Sequence, residues 1–344
     1  MAKQRVAIFG ASGYSGAELF RALKSHPQVE VVAIGGESQA GKLLKELYPA
    51  LRGLGDVELE KLDPAALKGR ADLAFLCLPH VQSMSVAAPL IASGLKVIDL
   101  SGDFRLKDAS AYERFYKHAH TEPALLKEAV YGLPELHAAE IRRARLVANP
   151  GCYTTTSILG LSPLMRQPGV KSGSVVIDAK SGVSGGGRKL VNEFQFVEVY
   201  DNFSAYGVGG GHRHVPEIEQ ELLGQAVTFT PHLLPLSRGI FATCYAEPLK
   251  PATEDALLAH YVEFYKDAPF VRVYPKGELP SLRNVRGTNY CDIGIKVDAR
   301  TGRVIVVSCT DNLGKGAAFQ AIQNMNLMCG FGETEGLGFS ALTT

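Results

Sequence analysis

The sequence predicts a doubly wound α/β domain with a parallel sheet, followed by an α+β domain with a mixed or antiparallel sheet. Three observations carry this. Near-continuous apolar runs alternate with helix-like segments over the first 100 residues, a glycine-punctuated turn joins the first run to the first helix, and several runs beyond Pro150 alternate polar and apolar positions. RVAIFG (5–10) reads as a strand and GAELFRALKSH (16–26) as an amphipathic helix. VEVVAIGG (29–36), ADLAFLCLP (71–79) and LKVIDLS (95–101) read as three more strands. Strands apolar on both faces and separated by helices belong in a sheet covered on both sides.

Beyond Pro150 a helix over 152–166 leads to a strand around 174–180 and then to a glycine-rich stretch. Residues 228–235, 239–248, 289–298 and 303–311 read as strands, 255–267 as an intervening helix, and TGR (301–303) as a hairpin turn. A last helix over 314–328 is expected to return to the first domain. The expected limits are 1–148 for the first domain and 149–311 for the second, with 312–330 packing back on the first.

A chain of 344 residues exceeds what one core usually organises, so two domains are expected. The net charge of +1 gives no reason to expect a nucleic-acid or anionic-membrane partner. No apolar run approaches the ~18 residues of a membrane span. The opening MAKQRVAIFGASG goes straight into a strand without the apolar core of a signal peptide, and a cytoplasmic location is expected. Of six cysteines, Cys77, Cys244 and Cys309 lie in apolar runs and read as reduced core residues. No cysteine or histidine spacing suits zinc, so no metal is expected.

Four stretches carry chemistry. GASGYSG places Gly10, Gly13 and Gly16, with Ser12, Tyr14 and Ser15 between them, after a strand and at a helix start. That is the context of a dinucleotide site: a tight turn, close backbone approach, and helix N–H groups offered to a pyrophosphate. The alternative is a glycine turn with no ligand. After the second strand, Glu37 suits a ribose diol and hence NAD, whereas Ser38, Gln39 and Lys42 suit a 2′-phosphate; residues alone leave the two cofactors open. NPGCYTTTS puts Cys152 where a Pro-Gly turn meets a helix, with Thr154, Thr155 and Thr156 as candidate caps. A helix N-terminus favours the thiolate, so Cys152 reads as a nucleophile rather than a buried filler.

KSGVSGGGRK (180–189) reads as a backbone-rich anion loop ending in Arg188 and Lys189, with a flexible surface loop as the plain alternative. YGVGGGHRHVPEIEQEL (206–222) sets His212 and His214 at a loop-to-helix junction, with Glu217 placed to orient a general acid/base histidine. A metal pair is the rival, and it lacks an evident third ligand.

Taken in order, GASGYSGAEL, LPH (78–80), DLSGDFR (99–105), YGLPEL, NPGCY, SGVSGGGR, HRHVPEIEQ, GTNYCDIG and DNLGKGAA resemble the N-acetyl-γ-glutamyl-phosphate reductase family of arginine biosynthesis, within the semialdehyde dehydrogenases. The resemblance spans nearly the whole chain. It implies a Rossmann-type first domain, a catalytic and oligomerisation second domain, NADP(H) as cofactor, and a homodimer or homotetramer. It implies reduction of an acyl phosphate through a thioester on Cys152, with His212 as acid/base and Glu217 beside it. Gly10, Ser12, Gly13, Tyr14, Ser15, Gly16, Ser38, Pro79, Ser184, Gly185, Asn312 and Lys315 fall on the cofactor side of that pattern, and Arg105, Asn149, Arg188 and His214 on the substrate side. The chain departs from the family at Val81, where glycine is common, at Gly102, where alanine is common, and at Thr154, where proline is frequent. Related enzymes acting on aspartyl phosphate or a carrier-linked aminoadipyl phosphate are the nearest alternative. A non-catalytic nucleotide sensor on the same scaffold is the alternative from another class.

Overall fold

The structure is a computed structural model that describes residues 3–342. It divides into two compact units, one running to Gly151 and taking back Ala317–Gly338, the other comprising Cys152–Gly316. Asn149–Gly151 thus sit with the first unit and Asn312–Gly316 with the second, against the expected 149–311. Local bonding explains both shifts. The Asn149 N–H donates to Asp99 O (2.8 Å) and its side-chain amide to Ala317 O (3.1 Å). Asp311, by contrast, is tied to Arg238 and Gly287.

In the first unit, β1 (Gln4–Phe9), α1 (Tyr14–Leu23) and β2 (Val29–Ile34) are followed by a short helix α2 (Leu44–Leu47). Then come β3 (Leu73–Leu76), α3 (Ser83–Ala92), β4 (Lys96–Asp99), α4 (Ala109–Tyr116), α5 (Pro123–Glu128), β5 (Val130–Tyr131), α6 (Pro134–Ile141) and β6 (Leu146–Ala148). All six strands run parallel in the order β2-β1-β3-β4-β6-β5, as the doubly wound expectation requires. Val6, Ile8, Leu73, Phe75, Val97 and Ile98 are fully buried, which is why these strands read as continuous apolar runs. Because β1 is flanked by β2 on one side and β3 on the other, the sheet's switch point lies between β1 and β3. In such sheets ligands bind there, beyond the carboxyl ends of the strands.

The motif DLSGDFR closes this part of the unit. The fully buried Asp103 carboxylate accepts from the N–H groups of Val81 (2.7 Å) and Ser83 (3.0 Å) and from the Tyr112 hydroxyl (2.9 Å). It thereby holds the start of α3. Val81 itself adopts φ 75°, a left-handed conformation that a β-branched residue reaches only under strain. Glycine at that position would avoid the strain.

The second unit opens with α7 (Cys152–Arg166) and β7 (Val175–Gly182), followed by α8 (Phe196–Val199), β8 (Ser204–Ala205), α9 (Val215–Glu221), β9 (Val227–Leu234), β10 (Ile240–Ala246), α10 (Glu254–Phe264), β11 (Val271–Val273), β12 (Cys291–Val297) and β13 (Val304–Thr310). The sheet is mixed, in the order β11-β12-β13-β10-β7-β9-β8, with β12 and β13 forming the expected hairpin. Along β7 and β10 every second residue is buried, which is the alternation seen in the sequence. The buried face packs against α7, and α10 covers β12. A π-turn, Gly314–Ala318, leads into α11 (Phe319–Cys329), which packs on α1 and α6 in the first unit.

Candidate active site

The glycine motif of the first unit folds as a cradle. Gly10 ends β1 with φ +76°, and a Cβ there would stand 2.3 Å from Cys77 O. A Cβ on Gly16 would stand 2.4 Å from Gly10 O, so any side chain would fill the turn. Gly13 sits extended before α1, which therefore starts at Tyr14, two residues earlier than the sequence pattern suggests. The Tyr48 hydroxyl donates to Ser12 O (2.9 Å) and pins the loop from outside. The 77–80 loop carrying Pro79 lies across the switch point from this turn, and Glu37, Ser38 and Lys42 are exposed just past β2. A turn that excludes a Cβ at Gly10 and at Gly16 and runs into a helix N-terminus fits the pyrophosphate of a dinucleotide.

Two residues expected on the substrate side are tied into the first unit by their own hydrogen bonds. Arg105 is buried, donating from Nε to Asn149 O and from a terminal nitrogen to Leu100 O, both at 2.8 Å. Asn149 is fully buried, and its amide oxygen accepts from Asn324 (3.0 Å). Both brace the chain that leads to Gly151.

In the second unit, α7 begins at Cys152. The three threonines do not cap it as expected. Thr154 Oγ1 donates sideways to Glu217 (2.8 Å), and Thr156 Oγ1 meets Thr310 Oγ1 (2.6 Å) and donates to Cys152 O (3.0 Å). Ser308 Oγ donates to Thr156 O (2.9 Å), so hydroxyls lock the first turns of α7 to β13. Pro163 lacks the N–H that would serve Leu159 O; the Tyr265 hydroxyl donates to that carbonyl instead, which is why a proline is tolerated there.

Around this helix start the chain gathers a ring of aromatic groups. The Tyr153 ring lies 6.0 Å from both His212 and His214, and the two imidazoles are 4.8 Å apart. Tyr206 donates its hydroxyl to that of Tyr153 (3.1 Å), which in turn donates to His232 O (2.9 Å). Phe229 closes the group at 5.2 Å from His212. Tyr153, Tyr206 and Phe229 were not singled out in the sequence; Tyr206 heads the glycine run that ends at His212, and that was the available signal.

Two facts fix the state of His212. Burial, helped by the neighbouring Arg213 charge, lowers its pKa to about 4, so the ring is neutral at pH 7. The His214 main-chain N–H donates to His212 Nδ1 (3.1 Å), so Nδ1 is an acceptor and the ring proton sits on Nε2. His212 therefore offers a neutral N–H donor. Glu217 is buried and accepts from Thr154. This bond to a threonine of α7 anchors α9 to the cysteine-bearing helix.

Residues far apart in sequence also meet beside the glycine-rich loop. Asn312 Nδ2 donates to Ser184 Oγ (2.9 Å), and Asn312 Oδ1 accepts from the Gly239 N–H (2.7 Å). Gly185 and Arg188 are exposed on the same loop. Lys315 is instead fully buried, its ammonium 5.8 Å from the Phe270 ring centroid.

Residues 5–144 match the family model described as semialdehyde dehydrogenase, NAD binding domain, and residues 152–312 match the one described as semialdehyde dehydrogenase, dimerisation domain. The chain is 52% identical over 338 residues to the N-acetyl-gamma-glutamyl-phosphate reductase of Citrifermentans bemidjiense, covering 97% of each protein. It is 51% identical over 343 residues to that of Geobacter sulfurreducens, covering 98% of each. Among solved structures, aspartate semialdehyde dehydrogenase II of Vibrio cholerae shares the fold with a TM-score of 0.72 at 18% identity, over 95% of this chain and 98% of that one.

Proposed function

Because the chain belongs to the semialdehyde dehydrogenases, in the N-acetyl-γ-glutamyl-phosphate reductase family, we propose that it reduces N-acetyl-L-glutamyl 5-phosphate to the 5-semialdehyde and phosphate in arginine biosynthesis. The observation that carries the chemistry is the cysteine at the first residue of α7, next in the chain to Tyr153, whose ring lies 6.0 Å from a neutral histidine with its proton held on Nε2.

The Cys152 thiolate attacks the acyl carbon, the C–O bond to phosphate breaks, and a thioester remains on sulfur. NADPH, when bound, supplies the hydride that reduces the thioester carbonyl. The resulting oxyanion on the thiohemiacetal carbon is met by the His212 Nε2–H and by the positive end of α7. Its collapse breaks the C–S bond, releases the aldehyde and restores the thiolate. The exposed Arg188 and Lys189 of the glycine-rich loop suit the departing phosphate. NADP(H) is the cofactor, as the family match supports, with Ser38 and Lys42 suiting its 2′-phosphate and the Gly10–Gly16 cradle its pyrophosphate.

The test is phosphate-dependent oxidation of N-acetylglutamate semialdehyde by the purified protein, followed at 340 nm with NADP or NAD. Faster turnover with NADP, and with this aldehyde than with aspartate semialdehyde, supports the reading. Preference for aspartate semialdehyde overturns it in favour of the related acyl phosphate.

The second unit also exposes Leu190, Phe196, Val197, Tyr200, Phe203 and Val208 along one segment, an apolar stretch that water does not favour. A second copy of the chain covers it in a homodimer or homotetramer. Light scattering of Phe196→Glu should show a smaller species than the parent; an unchanged mass argues against this surface. Among the described residues no helix is long and apolar enough to cross a membrane, and we place the enzyme in the cytoplasm.

A further inference from the structure

We propose that the turn Asp311–Gly316 is a seat that sets the position of the Cys152 sulfur, with Gly316 as the contact and Asp311 as the clamp. The inference rests on the reading of Cys152 as nucleophile and adds two positioning residues to it.

Gly316 packs directly on the nucleophile. A Cβ on Gly316 would stand 2.8 Å from Cys152 Cβ, 3.1 Å from Cys152 Cα and 3.1 Å from Asp311 O. The crowding atoms include backbone and the first side-chain carbon of the cysteine, so no flexible tip can swing away. Gly316 lies within the π-turn Gly314–Ala318, and its N–H donates to Asp311 O (2.8 Å), five residues back. A π-turn is a rare geometry that is frequently met at functional sites.

The turn is held in that geometry by one carboxylate. Asp311 is fully buried, and its Oδ1 accepts from the N–H groups of Leu313 (2.8 Å) and Gly314 (3.0 Å), both within the turn. Its Oδ2 accepts from the Gly287 N–H (2.6 Å), and the Arg238 guanidinium lies 3.0 Å from both oxygens. Charge-assisted bonds of this kind are strong and directional. Asp311 thus joins the loop at 287, the arginine at 238 and the turn itself into one rigid piece. The buried Lys315 side chain against Phe270 adds a further anchor. Nothing in the chemistry of the thioester requires these groups to touch substrate. They act through Cys152, because misplacing a reacting atom by about 1 Å can cost on the order of 10²-fold in rate.

The experiment uses the full chain and three variants, Gly316→Ala, Asp311→Asn and Cys152→Ser, with Gly332→Ala, where a Cβ meets nothing within 4 Å, as a control glycine. The readouts are kcat and KM, and the pH–rate profile of iodoacetamide labelling at Cys152, read from the peptide that carries it. The seat predicts that Gly316→Ala and Asp311→Asn lower kcat by about tenfold or more, up to about 10²-fold, with KM for the acyl phosphate changed little. It also predicts a displaced labelling profile at Cys152 in both. A merely structural role would lower melting temperature and leave that profile unmoved in the folded protein. Wild-type kcat and labelling in Gly316→Ala overturn the proposal; should that variant not fold, the same result in Asp311→Asn overturns it. Activity surviving in Cys152→Ser would instead remove the nucleophile on which the inference rests, a distinguishable failure.

Discussion

Lowering the pH from 7 to 5 should destabilise the second unit by about 2 kcal/mol through His212 alone. The folded ring titrates at about 4 because burial and Arg213 disfavour its cation, whereas an unfolded histidine titrates near ~6.5. The unfolded chain thus binds a proton that the folded chain refuses. Stability falls as pH drops from ~6.5 toward the folded value, and the penalty is complete below it. At pH 5 roughly 97% of unfolded but only about 10% of folded His212 is protonated, and integrating between the two pH values gives the figure of about 2 kcal/mol. Urea unfolding of the parent and of His212→Asn at pH 7 and pH 5 isolates the effect as a difference of differences. Groups present in both proteins cancel: His26 and His120, lowered by burial, act with the same sign, and Asp99, raised to about 6 by burial and by Asp103, acts with the opposite one. The parent should lose about 2 kcal/mol more than the variant. Equal losses, or an NMR midpoint for His212 at 6 or above, would refute the argument that this ring works neutral.

Three further outcomes follow from the geometry. His212→Asn should lower kcat by about 10²–10³-fold as a lost oxyanion donor, and His214→Asn should cost less, because it is the main-chain N–H of His214 that fixes the tautomer; steady-state kinetics showing the reverse order would exchange the two roles. Gly16→Val should weaken NADPH binding by about tenfold or more, since its Cβ falls 2.4 Å from Gly10 O in the pyrophosphate turn; a fluorescence titration matching the parent would remove that turn from the cofactor site. Gly102→Ala places a Cβ 2.1 Å from the Tyr116 hydroxyl, and that ring is held by stacking on Tyr112 and by the edge of His80, so overpacking should cost about 1–3 kcal/mol in thermal or urea unfolding. An unchanged melting temperature would mean that Tyr116 swings away freely.

The strong periodicities were legible in the sequence. The buried parallel strands β1, β3 and β4 and the alternating strands β7 and β10 bury the residues their patterns indicate, because both patterns are direct consequences of which faces lose water, whereas β12 and β13 are buried over most of their length. Strands β5, β6, β8 and β11 have only two or three residues each, too few for any period to register, and tertiary pairing alone defines them. The cysteine at a helix start was readable from Pro150-Gly151 and the apolar run that follows. What the threonines bond to was not, since a hydroxyl near a helix start suits a cap in isolation and a lateral bond to Glu217 or Thr310 only in the folded unit. Arg105 and Asn149 illustrate the same limit: the motif marks them as polar, whereas the bonds from Arg105 to Leu100 O and Asn149 O and from Asn324 to Asn149 exist only in the folded unit. Asp311 and Gly316 lay inside a quoted motif, yet their role depends on contacts with residues more than 70 and 160 positions away in the chain, which no local pattern carries.

The central claim is that the acyl group passes through the sulfur of Cys152. Mixing the protein with N-acetylglutamyl phosphate in the absence of NADPH, quenching in acid and measuring peptide masses tests it directly. An acyl adduct on the peptide containing Cys152, absent from Cys152→Ser and discharged by NADPH, is the predicted result. No adduct while turnover proceeds, or the same adduct in Cys152→Ser, would contradict it.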